Sequence, residues 1–258
     1  MEVCVLASGS AGNCVAVRGG ETTLLIDFGL IRKHALERMA EAGINPEDLK
    51  AILFTHDHVD HCKGLGVFIK KFPIPLYAND GTAEAIGRKF PQVTMSWTTF
   101  ENGQSFQIGD FEVQTFQVPH DAADPVGFLL HQGGKTFFLA TDLGFVTTLV
   151  KTKLKDCDAA VVESNHDLEM LEQSDRPYSL KSRIWGRAGH LSNADSADFV
   201  SRCASGRLHH VMLAHLSHEC NTSVLAERTM KEALARVGRN DVKITVLEQE
   251  RITPWFQV

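Results

Sequence analysis

The 258-residue sequence contains no apolar run approaching 18 residues, so no stretch of it is expected to cross a bilayer as a helix. It has no Cys-x-x-Cys pair. Cys4, Cys14, Cys62, Cys157, Cys203 and Cys220 are scattered, which argues against a thiolate metal cluster and against a disulfide framework. The first residues, MEVCVLASGS, lack a basic segment before a short apolar stretch, so a secretory signal is not expected. Reduced thiols in a cytoplasmic protein is the reading that follows. Positive charge is not in excess: the formal net charge is −6, which excludes a surface that is basic throughout but leaves a local patch open. Internal repeats, low-complexity tracts and Pro/Gly/Ser linkers are also missing. One domain over residues 1–258 is therefore expected.

What is present is a succession of short apolar runs broken by turns. Residues 2–7, 13–19 and 22–27 read as strands, with SGSAG between the first two. Residues 31–43 carry helical spacing and close at Gly43, a C-terminal cap. A strand follows at 49–55, a helical stretch at 61–71, a strand at 74–79, and a helix at 80–90 with Asp80 as its expected N-cap. Gly109-Asp110 and Gly133-Gly134 mark two hairpins. Strands at 158–164, 209–217 and 242–249 alternate with amphipathic helices at 193–204 and 223–238. Hairpins come first and strand–helix units later, an α/β pattern of sheets flanked by helices.

Five of these runs end on a polar side chain able to bind metal. AILFT is followed by His56, VQTFQVP by His120, TFFLAT by Asp142, AAVVES by Asn165-His166, and HHVMLA by His215. The segment LFTHDHVDHCKG crowds His56, Asp57, His58, Asp60 and His61 into six positions. Ionisable groups packed this tightly repel or desolvate one another unless a cation lies among them. Neutral imidazole and carboxylate suit Zn²⁺, Mn²⁺ or Fe²⁺. One ion rarely needs so many ligands, so the set is expected to divide. His56 and His58 face one ion and His120 completes it. Asp60 and His61 face a second ion and His215 completes it, with Asp142 bridging both. His190 competes with His215 for the last place, but His215 directly ends an apolar strand. His34, His131, His209 and His210 lack such context and read as ordinary histidines, and Cys62 reads as a packed small residue.

The H-x-H-x-D-H motif at 56–61, with His120, Asp142 and His215, resembles the metallo-β-lactamase fold superfamily. That resemblance implies an αββα sandwich with two divalent metal ions along one sheet edge. Asp27, ending LLID, matches a residue that supports the metal loop without ligating. ASGSAGN, PHDAADP, TDLG, ESNHD, RPYSLKSRIWGRAGHLSN and LAHLS closely resemble the YycJ/WalJ branch, related to RNase J and tRNase Z phosphodiesterases. The resemblance implies a 5′→3′ exonuclease whose partner is nucleic acid, DNA ahead of RNA, and no membrane. Only 21 residues separate His120 from Asp142 and 47 separate Asp142 from His190, so no long substrate arm and no β-CASP cap insertion is expected.

Between Arg176 and His190 lie Arg176, Lys181, Arg183 and Arg187 with no acidic residue, a local reversal of sign. These side chains suit phosphate contacts that read no sequence. Tyr178 and Trp185 among them can stack on a base or pack. His190, Asp60 and Asp142 are the expected catalytic groups. His190, in GHLSN, matches a histidine that in the phosphodiesterase branches faces the scissile phosphate, so the resemblance implies that it stabilises phosphoryl charge or protonates the leaving oxygen, while Asp60 or Asp142 orients water. Asn165, His166 and Asn193, with Asn13, are further expected substrate contacts, against a plain turn or capping role. Two other functions stay open: a small-molecule metallohydrolase such as a cyclic phosphodiesterase, and a non-catalytic binding module.

Overall fold

The computed structural model describes all 258 residues. Fourteen strands form two seven-stranded sheets. The first is ordered β14 (Phe256–Gln257), β1 (Glu2–Ala7), β2 (Cys14–Gly19), β3 (Thr22–Ile26), β4 (Leu49–Leu53), β5 (Leu76–Ala78) and β6 (Trp97–Thr99). The second is ordered β13 (Lys243–Val246), β12 (His210–Ala214), β11 (Ala159–Glu163), β10 (Lys135–Ala140), β9 (Val126–Gln132), β8 (Phe111–Gln117) and β7 (Ser105–Ile108).

Residues alternate across each strand, so the apolar runs serve two layers at once. Val3, Val5, Val15, Val17, Leu24 and Ile26 of the first sheet meet Phe111, Val113, Phe128, Leu130 and Phe137 of the second. The opposite faces pack under helices. Cys4, Leu6, Leu25 and Ile52 lie beneath α1 (Arg32–Glu41), α3 (Leu65–Phe68) and α4 (Asp80–Lys89). Phe116, Phe138, Val162 and Leu213 lie beneath α5 (Thr148–Leu154), α8 (Asn193–Cys203) and α9 (Ser223–Arg236). Each fully buried Phe, Leu or Val contributes about 1.5–3 kcal/mol. The architecture is the expected αββα sandwich.

Both hairpins form at the expected glycines, Gly109 at φ 54°, Gly133 at φ 59° and Gly134 at φ 75°. Three sequence expectations need correction. Hairpins do not all precede strand–helix units, because each sheet has its own antiparallel block followed by parallel strands, β3 to β6 in one and β10 to β13 in the other. The cap of α4 is Asn79, whose side chain accepts from the Thr82 amide, and Asp80 lies in the first turn. The helical stretch at 61–71 is two short pieces, α2 (Val59–Cys62) and α3. They meet at Gly64, where a Cβ would lie 1.9 Å from the Leu30 carbonyl oxygen. Gly29 makes the reciprocal close approach, since a Cβ there would lie 1.7 Å from the Asp60 oxygen. These two glycines let the histidine-rich turn press onto the end of β3.

Candidate metal centre

The expected ligands converge at one edge of the two sheets because each follows the C-terminal end of a strand. Asp27 follows β3, His56 follows β4, His120 follows β8, Asp142 follows β10 and His215 follows β12. Asp27, Asp142 and His215 are the three non-glycine residues at positive φ, at 62°, 55° and 57°. Such backbone costs on the order of 1–3 kcal/mol per residue and persists where the surroundings enforce it. Here the His215 amide donates to Ser8 Oγ at 2.9 Å, and the Asp27 amide donates to the Leu53 carbonyl at 2.8 Å.

Hydrogen bonds assign the imidazole tautomers. His58 Nε2 lies 3.1 Å from the Asp121 carbonyl, and His120 Nδ1 lies 3.0 Å from the Gly189 carbonyl. A carbonyl only accepts, so those nitrogens carry the protons. The opposite nitrogens, His58 Nδ1 and His120 Nε2, then face each other as lone pairs at 3.3 Å. Thr55 Oγ1 donates to Asp27 Oδ2 at 2.8 Å and accepts from His56 Nδ1 at 3.0 Å. His56 Nε2 is left buried with no partner. One ring nitrogen from each of these three histidines lies within 4.8 Å of the others.

A second group forms beside the first. His61 Nδ1 donates to Asp27 Oδ2 at 2.8 Å, turning its Nε2 toward Asp142 Oδ2 at 3.2 Å and Asp60 Oδ2 at 3.5 Å. His215 Nδ1 donates to Glu163 Oε1 at 3.2 Å, turning its Nε2 toward Asp60 Oδ2 at 3.2 Å and Asp142 Oδ1 at 3.6 Å. Asp142 also reaches the first group, 3.8 Å from His120 Nε2, and its buried Oδ2 receives no hydrogen bond despite its closeness to His61. Lone pairs facing lone pairs in a buried space repel unless a cation or protons lie between them. The donor set, imidazole nitrogen and carboxylate oxygen with every rear nitrogen tied back, fits divalent metal.

The two groups differ in charge. Burial holds His56 well below its ordinary value, helped by neighbouring His61, and burial likewise lowers His120. For His61 burial again opposes the charged form, but Asp27, Asp142 and Asp60 outweigh it and raise the group well above its ordinary value. Asp142, Asp60 and Glu163 do the same to His215. Without metal, burial keeps His56 and His120 neutral, whereas His61 and His215 pair as cations with the carboxylates around them.

Glu163 escaped the sequence analysis although it stands inside the quoted run AAVVES. It is the last residue of β11 and fully buried. Its Oε1 lies 2.6 Å from His190 Nδ1, and its Oε2 accepts from the amides of Leu143 at 2.8 Å and Leu191 at 3.1 Å. Burial would raise its pKa, but His190 and His215 hold the carboxyl below its usual range. A glutamate ending an otherwise apolar strand was the available signal.

His58, Asp60, His120, Asp142, His190 and His215 line an open cleft of about 350 Å³. Arg176 and Arg183 also reach it, paired with Glu219 at 2.9 Å and Asp121 at 2.6 Å. The remaining expected substrate contacts lie outside it. Lys181, on α7 (Tyr178–Ile184), donates to the Glu172 carbonyl at 2.6 Å. Asn165 is buried and donates to the His215 carbonyl at 2.8 Å. Asn193 is buried against Ser164 and Asn221. His166 is buried behind the edge, bridged through its backbone to Ser192, with neither ring nitrogen partnered. Asn13 Nδ2 donates to Asp60 Oδ2 at 3.2 Å and lies 3.0 Å from His61 Nε2, at the side of the second group. These polar groups shape the strand ends from within because the tight loop packing buries them. Tyr178 and Trp185 are exposed and meet edge to face at 6.1 Å.

A family model described as the Beta-lactamase superfamily domain matches residues 22–216. The chain is 39% identical over 235 residues to exodeoxyribonuclease YycJ of Bacillus anthracis, covering 91% of this chain and 89% of that one. It is 36% identical over 260 residues to exodeoxyribonuclease WalJ of Streptococcus pneumoniae serotype 2, covering 98% and 97%. The metallo-β-lactamase fold protein YhfI from Bacillus subtilis superposes with a TM-score of 0.75 over 98% of each chain at 15% identity, a likeness of fold. With that fold, that strand-end centre and relatives matched along nearly its whole length, the chain belongs to the YycJ/WalJ branch of the metallo-β-lactamase-fold hydrolases.

Proposed function

We propose that this chain is a metal-dependent phosphodiesterase that hydrolyses nucleic acid as a 5′→3′ exonuclease, on DNA in preference to RNA, with two divalent cations at the strand-end centre. The observation that carries this reading is the sorting of imidazole nitrogens and carboxylate oxygens into two adjacent sets, both reached by Asp142. His56, His58 and His120 would hold one ion. Asp60, His61 and His215 would hold the other, and Asp142 reaches both. Zn²⁺ and Mn²⁺ are the ions best suited to these donors, with Fe²⁺ also compatible. When bound, such ions supply the Lewis acidity that makes hydroxide available near neutral pH and offsets phosphoryl charge.

The chain's own residues supply the rest. Arg176 and Arg183 exchange Glu219 and Asp121 for phosphoryl oxygens of the substrate. Glu163 anchors His190 Nδ1, which leaves Nε2 free for the cleft. Burial disfavours the imidazolium, but the Glu163 carboxylate beside it raises the pKa of His190 overall. His190 is thereby suited to carry a proton and pass it from Nε2 to the departing 3′ oxygen. Asp60 remains ionised and orients the attacking water.

The exonames of the YycJ and WalJ relatives favour nucleic acid as the substrate. The modest cleft volume, about 350 Å³, also admits a small phosphodiester, which is the competing reading. Digestion of DNA and RNA labelled at the 5′ or the 3′ end, with Mn²⁺ or Zn²⁺, tests the proposal. Release of labelled mononucleotide at once from 5′-labelled DNA supports it. Turnover confined to small phosphodiesters contradicts it.

A further inference from the structure

Asp57 lies between two expected ligands, His56 and His58, yet its side chain turns away from the centre. It is buried, 8% exposed. Its Oδ1 accepts from the Ala123 amide at 3.0 Å, and its Oδ2 accepts from Lys89 Nζ at 2.5 Å. Ala123 belongs to the loop that carries His120. Lys89 is the last residue of α4. One carboxylate therefore joins the loop bearing His56 and His58, the loop bearing His120, and the end of a helix.

The same helix grips the His120 loop at its other end. Asn79, its N-cap, donates through Nδ2 to the Asp124 carbonyl at 2.8 Å, and Thr82 Oγ1 donates to that carbonyl at 3.2 Å. Asn102 Nδ2 donates to Asp124 Oδ1 at 2.8 Å. Helix α4 thus acts as a splint of about 15 Å against the 119–125 loop, with Lys89 and Asp57 fastening its far end to the histidine turn. Each histidine of the first group is tied back separately, but those bonds set ring orientation. The two loops are also joined by the His58–Asp121 bond and by the Val126 amide on the Thr55 carbonyl, and Asp57 is the side chain that links both loops to helix α4.

We infer that Asp57 is a positioning residue that fixes the spacing of His56 and His58 against His120 and so determines metal affinity at that one site. The inference rests on the two-ion reading given above. It predicts a loss confined to one site. The Asp60, His61 and His215 group is held by Asp27, Glu163 and Asn13, none of which Asp57 touches.

The test is stepwise Zn²⁺ titration of metal-free protein against a chromophoric chelator, with Co²⁺ absorption spectra to report the ligand field. Asp57→Ala is expected to weaken one of two binding events about 10- to 100-fold and leave the other near wild type. Asp57→Asn keeps an acceptor for Ala123 and loses the charge facing Lys89, so it falls between. Lys89→Met weakens the same event and Lys89→Arg restores it. Circular dichroism of the metal-free variants controls for folding, and Asp57→Asn with Lys89→Met carries the test if Asp57→Ala does not fold. Wild-type protein that binds two ions, alongside variants that bind both with unchanged affinity or lose both equally, overturns the role of Asp57. Wild-type protein that binds fewer than two ions overturns the two-ion reading instead.

Discussion

Asp27 Oδ2 and His61 Nδ1 meet at 2.8 Å beneath the centre, and this contact decides which nitrogen of His61 faces Asp60 and Asp142. Asp27 also accepts from the Thr55 amide at 2.9 Å and from Thr55 Oγ1, which in turn orients His56. One carboxylate at positive φ therefore aims a histidine into each group. Asp27→Asn retains an acceptor for Thr55 but turns an amide donor toward His61, favouring the wrong tautomer. Metal affinity at the Asp60–His61–His215 site should fall about 10- to 100-fold by calorimetric titration. Unchanged affinity would remove the orienting role.

Glu163 and His190 form the pair expected to handle the proton. His190→Ala should lower the hydrolysis rate about 10²- to 10⁴-fold with both metals retained, as read by metal analysis beside single-turnover kinetics. Glu163→Gln should lower the rate and also move the alkaline limb of the pH–rate profile to lower pH, because the carboxylate no longer favours the imidazolium. A rate near wild type in fully loaded His190→Ala refutes the assignment.

The strand-end histidines and aspartates were legible because each apolar run of β4, β8, β10 and β12 stops just before its ligand. Periodicity reports where a strand ends, and strand ends build sites in this fold. Glu163 was not legible by the same rule. A glutamate that follows two valines reads as no more than the polar end of a strand, and its partners His190 and His215 lie 27 and 52 residues away. Asn165 and Asn193 show the converse: of the two roles open to them, substrate contact or turn packing, their buried hydrogen bonds fit the second. Composition places polar residues near an edge but does not say which are consumed by packing. The repeated antiparallel-then-parallel plan of the two sheets leaves no mark as a sequence repeat, because only burial pattern is shared.

Arg183 and Arg176 reach the cleft, and Lys181 does not. Arg183→Ala should raise KM for an oligonucleotide several-fold and reduce the slope of log affinity against log salt by about one unit. Lys181→Ala should change either quantity far less. Equal effects from the two substitutions, measured by fluorescence anisotropy over a salt series, would place the phosphate path elsewhere.

Remote from the centre, His210 at the start of β12 is buried, with Nε2 2.8 Å from Thr245 Oγ1. Burial, with Lys243 and His209 nearby, lowers its pKa from 6.5 to about 4. The unfolded chain therefore binds a proton near pH 6.5 that the folded protein refuses until about pH 4. Stability from this residue is complete above pH 6.5 and falls as the pH drops toward 4, by about 2 kcal/mol between pH 7 and pH 5. Urea denaturation in the presence of chelator should show that His210→Gln loses less stability than wild type over this interval. Parallel curves would contradict the assignment.

The most direct test of the account is anomalous diffraction from crystals grown with Mn²⁺ or Zn²⁺. The account predicts two peaks at the strand-end edge, one among His56, His58 and His120 and one among Asp60, His61 and His215, each touched by Asp142. A single peak, or none with the imidazoles turned apart, would contradict it.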